Sequence, residues 1–375
     1  MREVFIHLAL THVHPHLSSA KTWRGGEQQI AYLIEELREL QIQQSVLCVQ
    51  GAPFATWCKE QGVSFFTYKK RLSIDLKVAL QIKKIELREG ITHLHAHDSH
   101  AHTFAVLAAA LFSMKKPIIL SRRVDFPIKK NMFSNWKYNH NSVKKIICIS
   151  HNIRIVIKSS VKDQTKLKVV HSGIRPEKFT NPKVVKNKLR QEYLIPKYKK
   201  IVANVAALAD HKDYPTFIRT AEILAQKRSD LQFLIIGGDA GEEEQIRQLI
   251  QAKGLEQNII LTGFRADISE VFPELDILLF TSKEEGLGTT VLDAFASKVP
   301  VVATAGGGIP EMLIHQKTGW LTAIGDAEKL AQGIEQILEN ESFKKELIVQ
   351  ATIHLQQFTS KKMASAILAI YNAVT

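Results

Sequence analysis

The sequence predicts an α/β protein of two doubly wound domains facing each other across a cleft. Three observations lead there. Apolar runs of strand length alternate along the whole chain with helix-length stretches, the pattern of parallel sheets covered on both faces. The 375 residues are too many for one ordinary core and suit two domains of about 150 to 200 residues each. Charge divides the chain too: residues 1–180 hold 28 Lys and Arg against 13 Asp and Glu, a balance of +15, whereas residues 181–375 hold 22 against 24.

Taken in order, the first strand is expected at residues 4–10. That run is too short for a secretory core and is followed by histidines rather than a small-residue cleavage site. Further strands are expected at 45–50, 92–95, 117–121, 145–149 and 168–171, then at 201–206, 232–237, 258–262, 276–281 and 299–303. Residues 175–200, rich in Pro, Asn and Lys, read as a linker with an exposed helix. The expected domains are 1–175 and 176–358, with an amphipathic helix in 359–375 packing back on the first. In open parallel sheets ligands bind beyond the carboxyl ends of the strands, so both sets of loops are expected to line the cleft.

Composition narrows the class. Hydrophobic residues make up 45% and charged ones 23%, which is ordinary for a globular chain. No apolar run approaches the ~20 residues a membrane span needs. Cys48, Cys58 and Cys148 are scattered without metal-ligand spacing, so no disulfide framework is expected and a reducing cytoplasm is the natural setting. The basic first half suits an anionic partner such as an acidic membrane surface or a phosphorylated glycolipid, unless it reflects only a basic proteome. No zinc pattern, helix-turn-helix or interleaving of aromatic with basic residues supports nucleic acid as that partner.

The segment Thr281 to Ala294 is the most informative. A strand, a turn carrying Gly286 and Gly288, and a helix opening follow one another, so that backbone approaches a ligand closely and the amides of Leu287 and Thr289 are available to an oxygen-rich group. Glu285 falls in the turn, able to accept from hydroxyls. Asp293 lies about two helical turns on and reaches a second part of the same ligand. A sugar nucleotide offers such groups. Gly25 and Gly26, ahead of a helix at 30–40, permit approach to phosphate or simply make a tight turn. Lys212, just after a strand, either balances charge on a diphosphate leaving group or is a solvated helix-start lysine.

Three other sites are ambiguous. Alternation puts His93, His95 and His97 on one strand face, which suggests zinc, but Asp98 is one residue early for a binuclear zinc pattern and no distant ligand completes a set. His97 and Asp98 are therefore expected as cleft-lining polar residues, with no metal. Arg122 and Arg123 end a strand and either bind phosphate or carboxylate or pair with Asp125. Gly306, Gly307 and Gly308 again place backbone amides ahead of a helix.

In this order the pieces resemble the retaining nucleotide-sugar glycosyltransferases of family 4, which have two Rossmann-like domains in the type B fold. The likeness spans nearly the whole chain: Gly25-Gly26-Glu27, His171-Ser172-Gly173-Ile174 to Phe179, Lys212, Glu285-Gly286-Leu287-Gly288 to Asp293, Gly307 to Glu311, and Thr318 to Leu321. The resemblance implies that Glu285 meets donor-sugar hydroxyls, Asp293 the ribose, Lys212 and the Gly25–Gly26 amides the diphosphate, and Arg265 the neighbourhood of the base. It also implies a hydroxyl acceptor, retained configuration and no cofactor or metal. Three departures stand out. Asp293 replaces the usual Glu, Ala207 stands where many members carry an arginine, and Arg123 falls near the family's acceptor-side histidine. Arg122 or Arg123 is expected to supply a cation to the donor phosphate or to an anionic acceptor.

The expectation is thus a sugar transferase acting on a glycolipid, lipopolysaccharide or polysaccharide precursor at the inner face of a membrane. A sugar-nucleotide epimerase or hydrolase on the same fold, and a non-catalytic binder of anionic glycolipid, are the alternatives. A glycoside hydrolase fits less well, because Glu285 and Asp293 lie at one donor-binding edge instead of straddling a bond.

Overall fold

The computed structural model describes residues 13–180 and 187–374. The strand expected at 4–10 lies outside them. The chain divides into two compact units: one gathers 1–149, 154–170 and 360–375, the other 150–153 and 171–359.

The first unit holds a seven-stranded sheet: β1 (His14–Leu17), β2 (Gln44–Val49), β3 (Ser64–Tyr68), β4 (Leu94–Ala96), β5 (Ile118–Arg122), β6 (Val143–Cys148) and β7 (Leu167–Val169). Their spatial order is β3-β2-β1-β4-β5-β6-β7 and every pairing is parallel. β1 is central, yet its sequence is His-Pro-His-Leu. Pro15 is tolerated because the amide of His14 faces β2, so the next position faces β4, with which pairing starts only at His16. Two strands had no counterpart in the sequence reading: β1 itself, and β3, an edge strand whose side chains are mostly half-exposed.

The second unit holds six strands: β8 (Lys200–Val205), β9 (Leu231–Ile236), β10 (Ile259–Gly263), β11 (Ile277–Phe280), β12 (Val301–Thr304) and β13 (Trp320–Thr322). Their order is β10-β9-β8-β11-β12-β13, again parallel throughout. β9 is buried at all six positions, as a strand covered on both faces must be. Its core joins Phe217, Phe233, Leu279, Val302 and Ile334. The three-residue β13 was not anticipated either.

Helix starts follow local chemistry. Asp98 accepts from the amides of His100 and Ala101 at the head of the helix Ser99–Phe112, Asn131 from Ser134 before Met132–Asn139, and Asn340 from Phe343 before Glu341–Leu355. In each sheet the chain reverses direction of growth beside its first strand, between β1 and β4 and between β8 and β11. These are the switch points where open α/β sheets leave a crevice at their carboxyl edge. Among the described residues no helix is long and apolar enough to cross a membrane. The three cysteines are free and buried.

Candidate functional site

At the switch point of the second sheet, the loop leaving β8 carries Lys212 and the loop leaving β11 carries Glu285. Their side chains meet: the Lys212 ammonium donates to Glu285 Oε1, which also accepts from Ser282 Oγ at 2.9 Å. The backbone fixes this meeting. Thr281 Oγ1 donates to the carbonyl of Lys212 at 2.9 Å, and the amide of Lys283 to that of His211 at 2.8 Å. The Lys212 ammonium also lies 5.5 Å from the Phe280 ring centre. Both charges are largely buried, with side chains 14% and 12% exposed, so each depends on the other for compensation.

The glycine loops pack tightly around this pair. A Cβ on Gly306 would sit 2.2 Å from the carbonyl oxygen of Ser282, and one on Gly308 would sit 2.5 Å from that of Gly286. The amide of Gly308 donates to the Glu285 carbonyl at 2.8 Å, so the loop after β12 buttresses the Glu285 loop. Gly288, at φ 85°, opens the helix Thr289–Ala296 in the left-handed region that a side chain would strain. Among the described residues the amides of Gly286, Leu287, Gly288 and Thr289 donate to no protein group, so they remain available to an oxygen-rich ligand.

Asp293 lies on that helix, half-buried, and its carboxylate makes no hydrogen bond or ion pair with any described residue. Burial without a partner pushes it up to about 7. Arg265 has less freedom than the sequence suggested. Asp267 grips its Nε and Nη2 through two bonds of 2.9 and 2.7 Å, and Glu192 takes Nη1 at 2.8 and 2.7 Å. Only 8% of the side chain is exposed, so Arg265 is the centre of an ion-pair network next to β10.

Glu311, further along, accepts from the amides of His151 and Asn152 at 2.8 and 2.9 Å and from His171 Nε2 at 2.8 Å. The three side chains are close enough to share a metal ion. Both carboxylate oxygens are occupied by these donors, which makes Glu311 a helix cap and histidine partner.

The first unit builds its own constellation at the β1/β4 switch point. A chain of hydrogen bonds fixes the tautomers of His16 and His97. Gln44 donates its amide to the carbonyl of Ile34 at 3.0 Å, which turns Gln44 Oε1 toward His16 Nε2, also at 3.0 Å. His16 Nε2 must therefore carry the proton, leaving Nδ1 to accept from His97 Nε2 at 3.0 Å. His97 Nδ1 is left with a lone pair, and it faces Arg123 Nη2 at 3.4 Å. Burial first, and then the neighbouring His95, His16 and Arg123, hold His97 well below the ordinary imidazole range, so the ring is neutral.

His95 continues the column, with Nδ1 against the Tyr371 hydroxyl at 2.6 Å and Nε2 against Ser121 Oγ at 2.8 Å. Ring nitrogens of His16, His95 and His97 approach closely enough for a metal. The bonds just described already occupy them.

Arg123, half-buried, ends this chain. Burial pushes its guanidinium down to about 10, partly offset by the charge of Glu27, and its Nε has no hydrogen-bond partner. Its Cδ would lie 3.8 Å from a Cβ on Gly26, so guanidinium and the first turn of the helix Gly25–Glu39 share one spot. Arg123, His97, Gly25 and Gly26 thus come together. Two expected partners do not join them. Arg122 is 6% exposed, donates to Tyr138 and to the Phe126 carbonyl, and stacks on the Phe126 ring, so it braces the loop after β5 rather than pairing with Asp125. Asp98 is saturated by the amides of Ser19, His100 and Ala101 and by Ser19 Oγ, which leaves it a structural cap. The sequence reading missed His16, Gln44, Ser282 and Tyr371. Only Ser282, three residues before Glu285 in the same turn, carried a local signal.

Residues 23–178 match the family model described as Glycosyltransferase Family 4, and residues 185–354 match the one described as Glycosyl transferases group 1. The chain is 24% identical to the N-acetyl-alpha-D-glucosaminyl L-malate synthase of Bacillus anthracis, over 79% of this chain and 78% of that protein. It is 23% identical to the lipopolysaccharide core biosynthesis glycosyltransferase LpsE of Rhizobium meliloti, over 86% and 88%. Among solved structures, Anabaena HepE in complex with UDP and glucose shares the fold with a TM-score of 0.82 at 20% identity, covering 96% of this chain and 100% of that one.

Proposed function

This chain belongs to the family 4, group 1 glycosyltransferases, and from that premise we propose that it moves a sugar from a nucleoside diphosphate sugar to a hydroxyl acceptor with retained anomeric configuration. It is a transferase enzyme of the type B, two-Rossmann-domain fold. The observation that carries the donor reading is the Lys212–Glu285 pair at the β8/β11 switch point, set among free amides.

On this reading a diphosphate takes over the Lys212 ammonium while sugar hydroxyls donate to Glu285, so the ligand exchanges one buried ion pair for two charge-assisted contacts. As the glycosidic bond breaks, negative charge grows on the diphosphate. Lys212 and the helix-start amides stabilise that charge where it develops. Asp293 accepts from the ribose hydroxyls, and the acceptor attacks the face that the diphosphate leaves. The scheme uses no metal and no cofactor. The first unit holds the acceptor near His97 and Arg123, its tautomer chain turning the His97 Nδ1 lone pair, rather than a competing proton, toward Arg123.

The acceptor is read as a glycolipid or polysaccharide precursor at an acidic membrane surface. The +15 balance of residues 1–180 supports this, as does the helix Met132–Asn139, which leaves Met132 90% exposed and Phe133 and Trp136 each 38% exposed beside Lys129 and Lys130.

Protection against thermal unfolding by a panel of nucleotide sugars tests the donor reading. A ligand at 100 times its Kd stabilises by about 2.7 kcal/mol. Protection that is lost in Glu285→Ala supports it. Absence of protection by every nucleotide and sugar nucleotide refutes it, and rapid consumption of a donor without acceptor would point to a hydrolase or epimerase instead.

A further inference from the structure

Two depressions in the first unit belong to none of the groups placed so far. One, of about 420 Å³, is lined by Trp23, Gly51, Pro53, Thr56, Trp57 and Glu60. The other, of about 490 Å³, is lined mainly by Lys21, Gln50, Lys69 and Lys70. They meet at Gly51, which lines both. The cationic hollow lies among the loops leaving β1, β2 and β3 at the carboxyl edge of the sheet, and the aromatic one continues from Gly51 along the helix Pro53–Glu60, with Trp23 of the β1 loop on its other side.

The two halves differ sharply in chemistry. In the first, Trp57 stacks on buried Phe54 with planes 7° apart and centroids 5.6 Å apart, and Trp23 leans across both at 5.8 and 6.0 Å. With one face of Trp57 fixed on Phe54, the other is left for a partner. The carboxylate of Glu60 and the hydroxyl of Thr56 stand beside it. An aromatic platform next to a carboxylate and a hydroxyl suits a pyranose, whose C–H face packs on the ring while its hydroxyls donate to the acid.

Every charged residue lining the second half is a lysine. Lys70 is anchored to the Ser19 carbonyl at 2.8 Å, to Ser19 Oγ at 3.1 Å and to His100 Nδ1 at 3.3 Å, which holds its ammonium in place. Lys21 and Lys69 make no ion pair with any described residue. Lys70 has spent its three N–H donors and has Asp98 as a neighbouring counter-charge, so exposed Lys21 and Lys69 are the cations left to hold an anion in the hollow, with Lys70 adding charge behind them.

We propose that this bipartite pocket is an acceptor subsite for a sugar phosphate, the pyranose on Trp57 and Trp23 and the phosphate held by Lys21 and Lys69 with the charge of Lys70 behind them. The assignment rests on the transferase reading for its purpose, but its binding chemistry stands alone.

Isothermal titration of the full chain at low salt with hexose 6-phosphates, glucose and inorganic phosphate tests it, with UDP titrated in parallel. The expected result is binding of a hexose 6-phosphate that Lys21→Gln with Lys69→Gln weakens by about tenfold or more while glucose binding is unchanged. Trp57→Ala, and Glu60→Gln on the exposed rim, should weaken hexose phosphate and glucose alike and leave inorganic phosphate untouched. UDP affinity should be equal in all of them. No binding of any hexose 6-phosphate, or equal affinity in every variant, overturns the subsite. Loss of UDP binding in the unaltered chain strikes the donor reading instead.

Discussion

Lys212 and Glu285, 73 residues apart in sequence, neutralise each other at the mouth of the β8/β11 crevice. Each was expected to await a different part of the donor, and each is instead held ready by the other. On the proposed reading a donor must open this pair to bind.

Lys212→Ala and Glu285→Ala should therefore each reduce turnover by about 10²- to 10³-fold. The double variant should lose less than the product of the two, because the residues are coupled. Steady-state kinetics with saturating donor measures this, and full additivity would show that the pair does not act as a unit.

Asp293 makes stability depend on pH in an unusual direction. Its carboxyl titrates at about 7 in the folded chain against an ordinary 3.8, so between these values the folded state holds a proton that the unfolded state has lost. Stability should fall as pH rises through that window and level off above it. Below 3.8 both states are protonated and the effect vanishes. Asp293→Asn should thus leave stability unchanged near pH 4 and raise it by up to about 4 kcal/mol at pH 8, as urea unfolding at both pH values would show, while weakening donor binding.

The adjacent arginines should behave oppositely. Arg122→Ala removes the brace between Phe126 and Tyr138 and should cost about 2 to 4 kcal/mol in unfolding free energy. Arg123→Ala removes a buried cation that lacks an ion-pair partner, so stability should change by less than about 1 kcal/mol while turnover drops. Denaturant midpoints and kcat, measured side by side, separate the two. Nitrogen NMR should find His97 neutral and protonated on Nε2 at pH 5.5; an imidazolium signal there would contradict the hydrogen-bond chain.

Binding to anionic vesicles should weaken by about tenfold in Met132→Ser with Trp136→Ser, with no change in donor protection. Sedimentation with phosphatidylglycerol vesicles reads this directly, and equal binding would remove the helix Met132–Asn139 from the membrane reading.

Much of this architecture was legible because buried parallel strands such as Leu231–Ile236 are apolar on both faces, and because the Glu285 turn packs its chemistry into a few consecutive residues. β1 hid behind two histidines and a proline whose burial depends on partners from β4, β2 and the last helix. β3 and β13 are edge strands, half-solvated or only three residues long, whose pattern resembles loop. Asp98 and Arg122 drew attention as charges at a strand's end, and Arg265 through the family resemblance. Whether the hydrogen-bonding capacity of such a residue is already spent is a tertiary fact that spacing does not encode.

The helix Ser360–Asn372 belongs to the first unit although everything from 171 to 359 belongs to the second. Its Tyr371 is fully buried and completes the column on His95, and Ser360 donates to Glu36 at 2.6 Å. During synthesis the leading half therefore emerges with an unfilled seam that closes only after the whole second unit, residues 171–359, has been made. No single cut in the gene can yield two self-sufficient fragments, and separating the halves for study calls for a permuted or spliced design.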